Sequence, residues 1–107
     1  MEQIIKIDGR DVRLKSSAAL PLKYKAQFGR DVFADMSRKK GEGINTEVFY
    51  NIIWTLAKTA DDTIPPVIEW VDSFGTFPVF KVYNEASALI ELSLGTTEKN
   101  AQAAVDE

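Results

Sequence analysis

The hydrophobic positions of this chain follow two periods. From Gln3 to Leu14 they read as two short strands, QIIKI and RDVRL, around Asp8-Gly9. That residue pair suits a two-residue type I′ turn, in which both positions need positive φ. Pairing across the turn sets Ile7 opposite Arg10, Lys6 opposite Asp11 and Ile5 opposite Val12. Ile5, Val12 and Leu14 then share one face, and Lys6 and Asp11 pair on the other. A lone hairpin is marginal in water, so this one must dock on its own helices or gain strands from another subunit. After the hairpin the period becomes helical. Its longest clean segment is Asn45 to Ala60, where Phe49, Ile52, Ile53, Leu56, Ala57 and Ala60 fall on one face. Val48 and Trp54 widen that stripe beyond what one neighbour can cover, which predicts a central helix. Asn45 is placed to cap it, and Glu47 complements the dipole in its first turn.

Shorter helices flank this one. Ser16 to Gly29 reads as a linker entering a helix, with Pro21 in the first turn and Gly29 at the left-handed C-terminal position. Asp31 caps a second helix from Val32 to about Lys39, with Val32, Phe33 and Met36 facing inward. Gly41-Glu42-Gly43 breaks the chain before the central helix. Beyond Ala60, Asp61-Asp62-Thr63 is a turn, and Thr63 caps a short helix through Pro65, Pro66, Val67, Ile68, Trp70 and Val71. Ser73-Phe74-Gly75 ends it. Thr76 caps a last long helix, with Pro78 near its start and Val79, Val82, Tyr83, Ala86, Leu89, Ile90 and Ser93 as its inward stripe; Gly95 closes it. Thr96 to Glu107 is a flexible polar tail. The expected architecture is mostly α (α+β): an N-terminal β-hairpin followed by about five helices in one compact domain, 1–95, with the tail 96–107.

Composition removes whole classes of chemistry. The chain has no Cys and no His, hence no thiolate nucleophile, disulfide, imidazole base or His-ligated zinc. No apolar run approaches the ~20 residues that cross a bilayer, and the first residues lack a signal-peptide core. A net charge of −3 opposes binding driven by phosphate neutralisation. Asp61-Asp62 lacks the further oxygen ligands of a calcium loop and reads as a solvated turn. Glu69 and Asp72, three apart, could pair for acid/base work, but they interleave with Trp70 and Val71 in the manner of a solvent face. Arg38-Lys39-Lys40 has no aromatic interleaving, and its place at a helix end accounts for it. The expectation is a protein with no catalytic residue, no metal and no cofactor.

The positive signal is aromatic. Eleven large rings are many for a domain of this size, and rings left exposed mark protein–protein contacts. Phe74, Phe77, Val79 and Phe80 form the candidate partner-binding surface; the alternative is that they seal a corner between helices.

The order of these pieces is familiar. The Asp-Gly hairpin, PLKYKAQFGRD, EVFYNIIWTLAKTADDTIP, EWVDSF and a final long helix together resemble the tail assembly chaperones of long-tailed bacteriophages and prophages of Gram-positive bacteria, in their short form. The resemblance runs from about Ile4 to Leu94. Its most specific parts are Tyr24-x-x-x-Phe28-Gly29-Arg30-Asp31, Leu56-Ala57-Lys58 with Ala60-Asp61, and Glu69-Trp70-x-Asp72-Ser73-Phe74. It implies a non-enzymatic protein that binds the tape measure protein and keeps it soluble until the tail tube polymerises. The implied partners are the tape measure protein, the tail tube protein, the chain's own frameshifted longer form and further copies of itself, with no nucleic acid and no membrane. The implied location is the cytoplasm of the bacterial host and not the mature virion. Two other readings remain: a structural tail or connector component of the virion, and a nucleic-acid-binding regulator using Arg30, Arg38, Lys39 and Lys40.

Overall fold

A computed structural model describes residues 1–37 and 45–95. Strands β1 (Glu2–Ile7) and β2 (Arg10–Lys15) form the hairpin, in the register the Asp8-Gly9 turn dictates: Ile5 faces Val12, Lys6 faces Asp11 and Ile7 faces Arg10. Asp8 and Gly9 both take positive φ, 51° and 75°. Lys6 and Asp11 pair at 2.9 Å on the solvent side, while Ile5, Ile7, Val12 and Leu14 are buried. The hairpin docks within its own chain: β2 packs on α3 (Thr46–Ala60) and β1 touches α5 (Val79–Glu85).

Helix α3 is the hub. Every residue from Asn51 to Ala57 is buried, so the helix is enclosed on all sides at its middle. Neighbours on different faces supply the cover: β2, α1 (Leu20–Phe28), α2 (Val32–Met36), α4 (Val67–Asp72) and α5 all pack on it. Its buried polar side chain Thr55 donates to the Asn51 carbonyl at 2.7 Å, which satisfies the hydroxyl inside the core. Asn45 sits at the N-cap position, but its side chain makes no capping bond.

Helix α1 starts with Pro21 in its first turn and ends at Gly29, φ 69°, as expected. The Asp31 carboxylate caps α2, accepting from the backbone N–H groups of Phe33 at 2.8 Å and Ala34 at 3.3 Å. Two expectations for α2 are corrected. It ends at Met36, where Ser37 turns extended, and its inward face is Val32 and Asp35, leaving Phe33 and Met36 exposed. A buried carboxylate explains the inversion: Asp35 turns inward to meet Tyr24 and the half-exposed Arg30, which rotates Phe33 and Met36 to the outside. The basic run Arg38-Lys39-Lys40, the Gly41-Glu42-Gly43 break and the tail 96–107 lie outside the described residues.

The C-terminal half departs from expectation at its helix starts. Thr63 does not cap α4; its backbone N–H and hydroxyl donate to Asp61, and the helix begins at Val67 behind Pro66. A proline disfavours the helical conformation of the residue before it, so Pro65-Pro66 holds the chain extended until Val67. Thr76 does not cap the last helix either; Pro78 occupies that position. The last helix is two, α5 and α6 (Ser87–Leu94), divided at Ala86 with φ −92° and ψ 7°, so the domain has six helices among the described residues. Helix α5 packs on α3 and β1, and α6 on α1; bonds from the Ala86 N–H to the Val82 carbonyl and from the Ile90 N–H to the Ala86 carbonyl carry the helical pattern across the division. The inward stripe survives it: Val79, Val82, Ala86, Leu89, Ile90 and Ser93 are buried and Tyr83 is half-buried. Gly95, φ 70°, ends α6.

Candidate partner-binding groove

A groove of about 730 Å³ opens between α3, α4 and the α4–α5 connection, with Phe28 and Arg30 at one end. Its apolar lining comes from side chains half-buried against the core. Tyr50 and Phe77 face each other at 5.6 Å between ring centroids, and Val67 and Val71 of α4 add aliphatic surface. Only Trp70 of α4 is fully buried; Val67 and Val71 are half-buried, and Ile68 stands 81% exposed at the lip. An aliphatic side chain that exposed, beside an apolar floor, is surface for which the monomer has no cover.

The wall on the α5 side is an aromatic cluster. Trp70, Phe74 and Phe77 meet edge to face, with centroids 5.2 to 5.6 Å apart, the arrangement that places a ring's positive edge on another's negative face. The hairpin turn braces this wall from behind. Asp8 Oδ2 accepts from the Gly75 backbone N–H at 2.7 Å. Arg10 donates to the carbonyl and hydroxyl oxygens of Ser73 at 3.2 and 3.1 Å. The turn at Asp8-Gly9 and the connection at Ser73–Thr76 are thus one structural unit.

The rim carries Arg30, Glu47 and Asp72. Arg30 is held by Asp35, with Nε 2.9 and 2.8 Å from the two carboxylate oxygens and Nη2 at 2.7 Å from Oδ1. The buried Tyr24 hydroxyl donates to Asp35 Oδ2 at 2.7 Å. Arg30 keeps the Asp35 carboxyl below its ordinary value, with burial opposing and Tyr24 assisting. Burial, and then the Asp35 carboxylate, push the Tyr24 phenol far above its ordinary value. Arg30 is therefore engaged in joining α1 to α2. Glu47 and Asp72 make no ion pair among the described residues.

The four residues picked out in the sequence separate here. Phe74 and Val79 are buried, at 6% and 8% exposure, Phe77 is half-buried and Phe80 is 49% exposed. Phe74 and Phe77 line the groove; Val79 and Phe80 do not. Phe80 instead packs on Phe49, which also meets Tyr83, at 5.4 and 4.7 Å. The stretch thus seals a corner and also builds a wall. Sequence reasoning missed Tyr50, Val67, Ile68 and Val71. A signal existed: VIEWVD carries four large apolar residues in six positions, more than one buried face of a short helix can hold.

Of the carboxylates considered for chemistry, Asp72 lies on the groove rim and Glu69 does not; both are exposed. Asp61 is held below its ordinary value, chiefly by the Thr63 hydroxyl and backbone N–H. Among the described residues no group of three or more acidic side chains could hold a metal ion, and no helix is long and apolar enough to cross a membrane. Comparison with protein-family models, with curated proteins and with solved structures finds no match to this chain.

Proposed function

We propose that this protein is a non-enzymatic tail assembly chaperone, which binds the tape measure protein of a long-tailed phage in the host cytoplasm and keeps it soluble for tail tube polymerisation. The observation that carries the reading is the groove: an apolar floor of Tyr50, Val67, Val71 and Phe77 with Ile68 exposed at its lip. A client that is a long, largely helical rod needs its apolar stripe covered segment by segment, and a helix laid in a hydrophobic groove is the ordinary way to do so. The resemblance in sequence order supplies the client's identity. The regulator reading is weakened because Arg30, one of its four cations, is bound to Asp35.

The test is co-expression with the tape measure protein encoded beside this chain, followed by pull-down and light scattering. Soluble co-elution is expected, with the tape measure protein insoluble when expressed alone. A tape measure protein that stays insoluble with this chain and with its frameshifted longer form overturns the reading.

A further inference from the structure

We infer that the groove holds one amphipathic helix and selects helices whose apolar stripe is flanked by Lys or Arg. This deepens the chaperone reading and rests on it for the client's identity, though not for the chemistry of the groove.

Two features of the groove lead there. The first is shape and polarity. Tyr50, Val67, Val71 and Phe77 give the groove apolar lining beside Thr46, Asn51 and Thr76, and Ile68 stands exposed at it. Helices bind such grooves through anchors at i, i+3, i+4 and i+7, with polar residues left along both rims. The second is charge. Of the three ionised side chains lining the groove, Arg30 is ion-paired with Asp35, whereas Glu47 and Asp72 make no ion pair among the described residues and Glu47 keeps only a longer-range attraction to Arg30. With Arg30 held by Asp35, Glu47 from the first turn of α3 and Asp72 from the end of α4 leave the described lining with an excess of negative charge. An occupant with acidic flanks would set like charges together; one with Lys or Arg flanks would complement them, and the mismatch is itself a selecting force.

The test uses the full chain and two fluorescein-labelled model helices of about 18 residues, five helical turns. Both carry Leu at three- and four-residue steps; one is flanked by Lys and the other by Glu. Fluorescence anisotropy is read at about 0.15 M salt, where screening beyond ~8 Å removes long-range attraction. The Lys-flanked helix should bind at least roughly tenfold more tightly, and amide shifts on binding should map to Tyr50, Val71 and Phe77. In the double variant E47K/D72K, changed only at exposed positions, the preference should invert. Equal binding of the two helices, a preference unchanged in E47K/D72K, or shifts that map away from the groove would each overturn the inference. The chaperone reading is scored separately on tape measure solubility. If the wild type and E47K/D72K solubilise that client equally, the groove inference falls and the chaperone reading stands. If the peptide preference inverts while the client stays insoluble with wild type, the reverse holds.

Discussion

The guanidinium carbon of Arg10 lies 4.0 Å from the centroid of the Phe74 ring. The positive charge of a hairpin turn thus rests on the face of a ring whose edges meet Trp70 and Phe77. Arg10→Ala removes this contact, worth ~0.5–1 kcal/mol at an exposed site, and the two bonds to Ser73. The expected loss is about 1–2 kcal/mol. Arg10→Lys keeps the charge without the planar fork and should recover only part of it. Urea unfolding checks this; an unchanged midpoint in Arg10→Ala would show that the turn is not clamped.

Gly75 is required by proximity, not by an unusual φ. A Cβ there would sit 2.8 Å from Asp8 Oδ2, the oxygen that accepts the Gly75 N–H. Gly75→Ala should destabilise by about 1–3 kcal/mol, as overpacking does. Asp8→Gly suits the positive φ of the turn and removes the obstructing carboxylate, so in the Gly75→Ala background it should cost far less than it does alone. A double-mutant cycle measures the coupling; additive effects would mean that the two residues do not meet.

Asp35 makes stability depend on pH with a definite sign. Its carboxyl titrates lower in the folded protein than in the unfolded chain, mainly because of Arg30. The stabilisation is complete above the unfolded value and is lost as pH falls through the folded one. The stability gap between wild type and Asp35→Asn should therefore be widest near neutrality and close below about pH 4. Denaturation midpoints across pH read it directly, and a gap constant down to strong acid would contradict the assignment. Tyr24→Phe keeps the ring in place and removes the bond to the carboxylate, for a loss of about 1.5–3 kcal/mol.

Core and lip should respond oppositely to substitution. Leu56→Ala, at a fully buried position, should cost about 2–5 kcal/mol. Ile68→Ser, at the lip, should change stability by no more than about 0.5 kcal/mol while weakening retention of a helical client. Thermal unfolding together with pull-down separates the two effects. A destabilised Ile68→Ser would mean that the side chain already has a partner.

What was legible in the sequence, and what was not, follows the range of the interactions. The hairpin register could be read because Asp8-Gly9 sets it locally. The α3 stripe, the ends at Gly29 and Gly95 and the cap at Asp31 were equally local. The facing of α2 was not, because Phe33 and Met36 look like core residues until Asp35 is seen to pair with Tyr24 and Arg30, residues on or just beyond the preceding helix. The division at Ala86 was hidden because the apolar stripe continues across it at helical spacing, as do the bonds from the Ala86 N–H to the Val82 carbonyl and from the Ile90 N–H to the Ala86 carbonyl. The groove was half legible. Phe74 and Phe77 stood out as rings, but Ile68 and Val71 became visible as surface only once Trp70 had taken the single buried position on α4.

The docking of the hairpin also bears on the order in which the molecule can be completed. The Asp8–Gly75 bond joins residues 67 apart in the chain, Gln3 to the Glu85 carbonyl spans 82, and the Ser17 N–H to Ser93 Oγ spans 76. Each closes a long loop, whose entropic cost must be met before its contacts return anything. The hairpin precedes its docking partners α3 and α5 in the chain, so its seating waits for them. Until Glu85 is made, β1 lacks its bond from Gln3, and until Gly75 is made the wall of the groove lacks its brace. The lining and the brace of the groove are thereby all in place in the chain once Phe77 is made, before α6 is added.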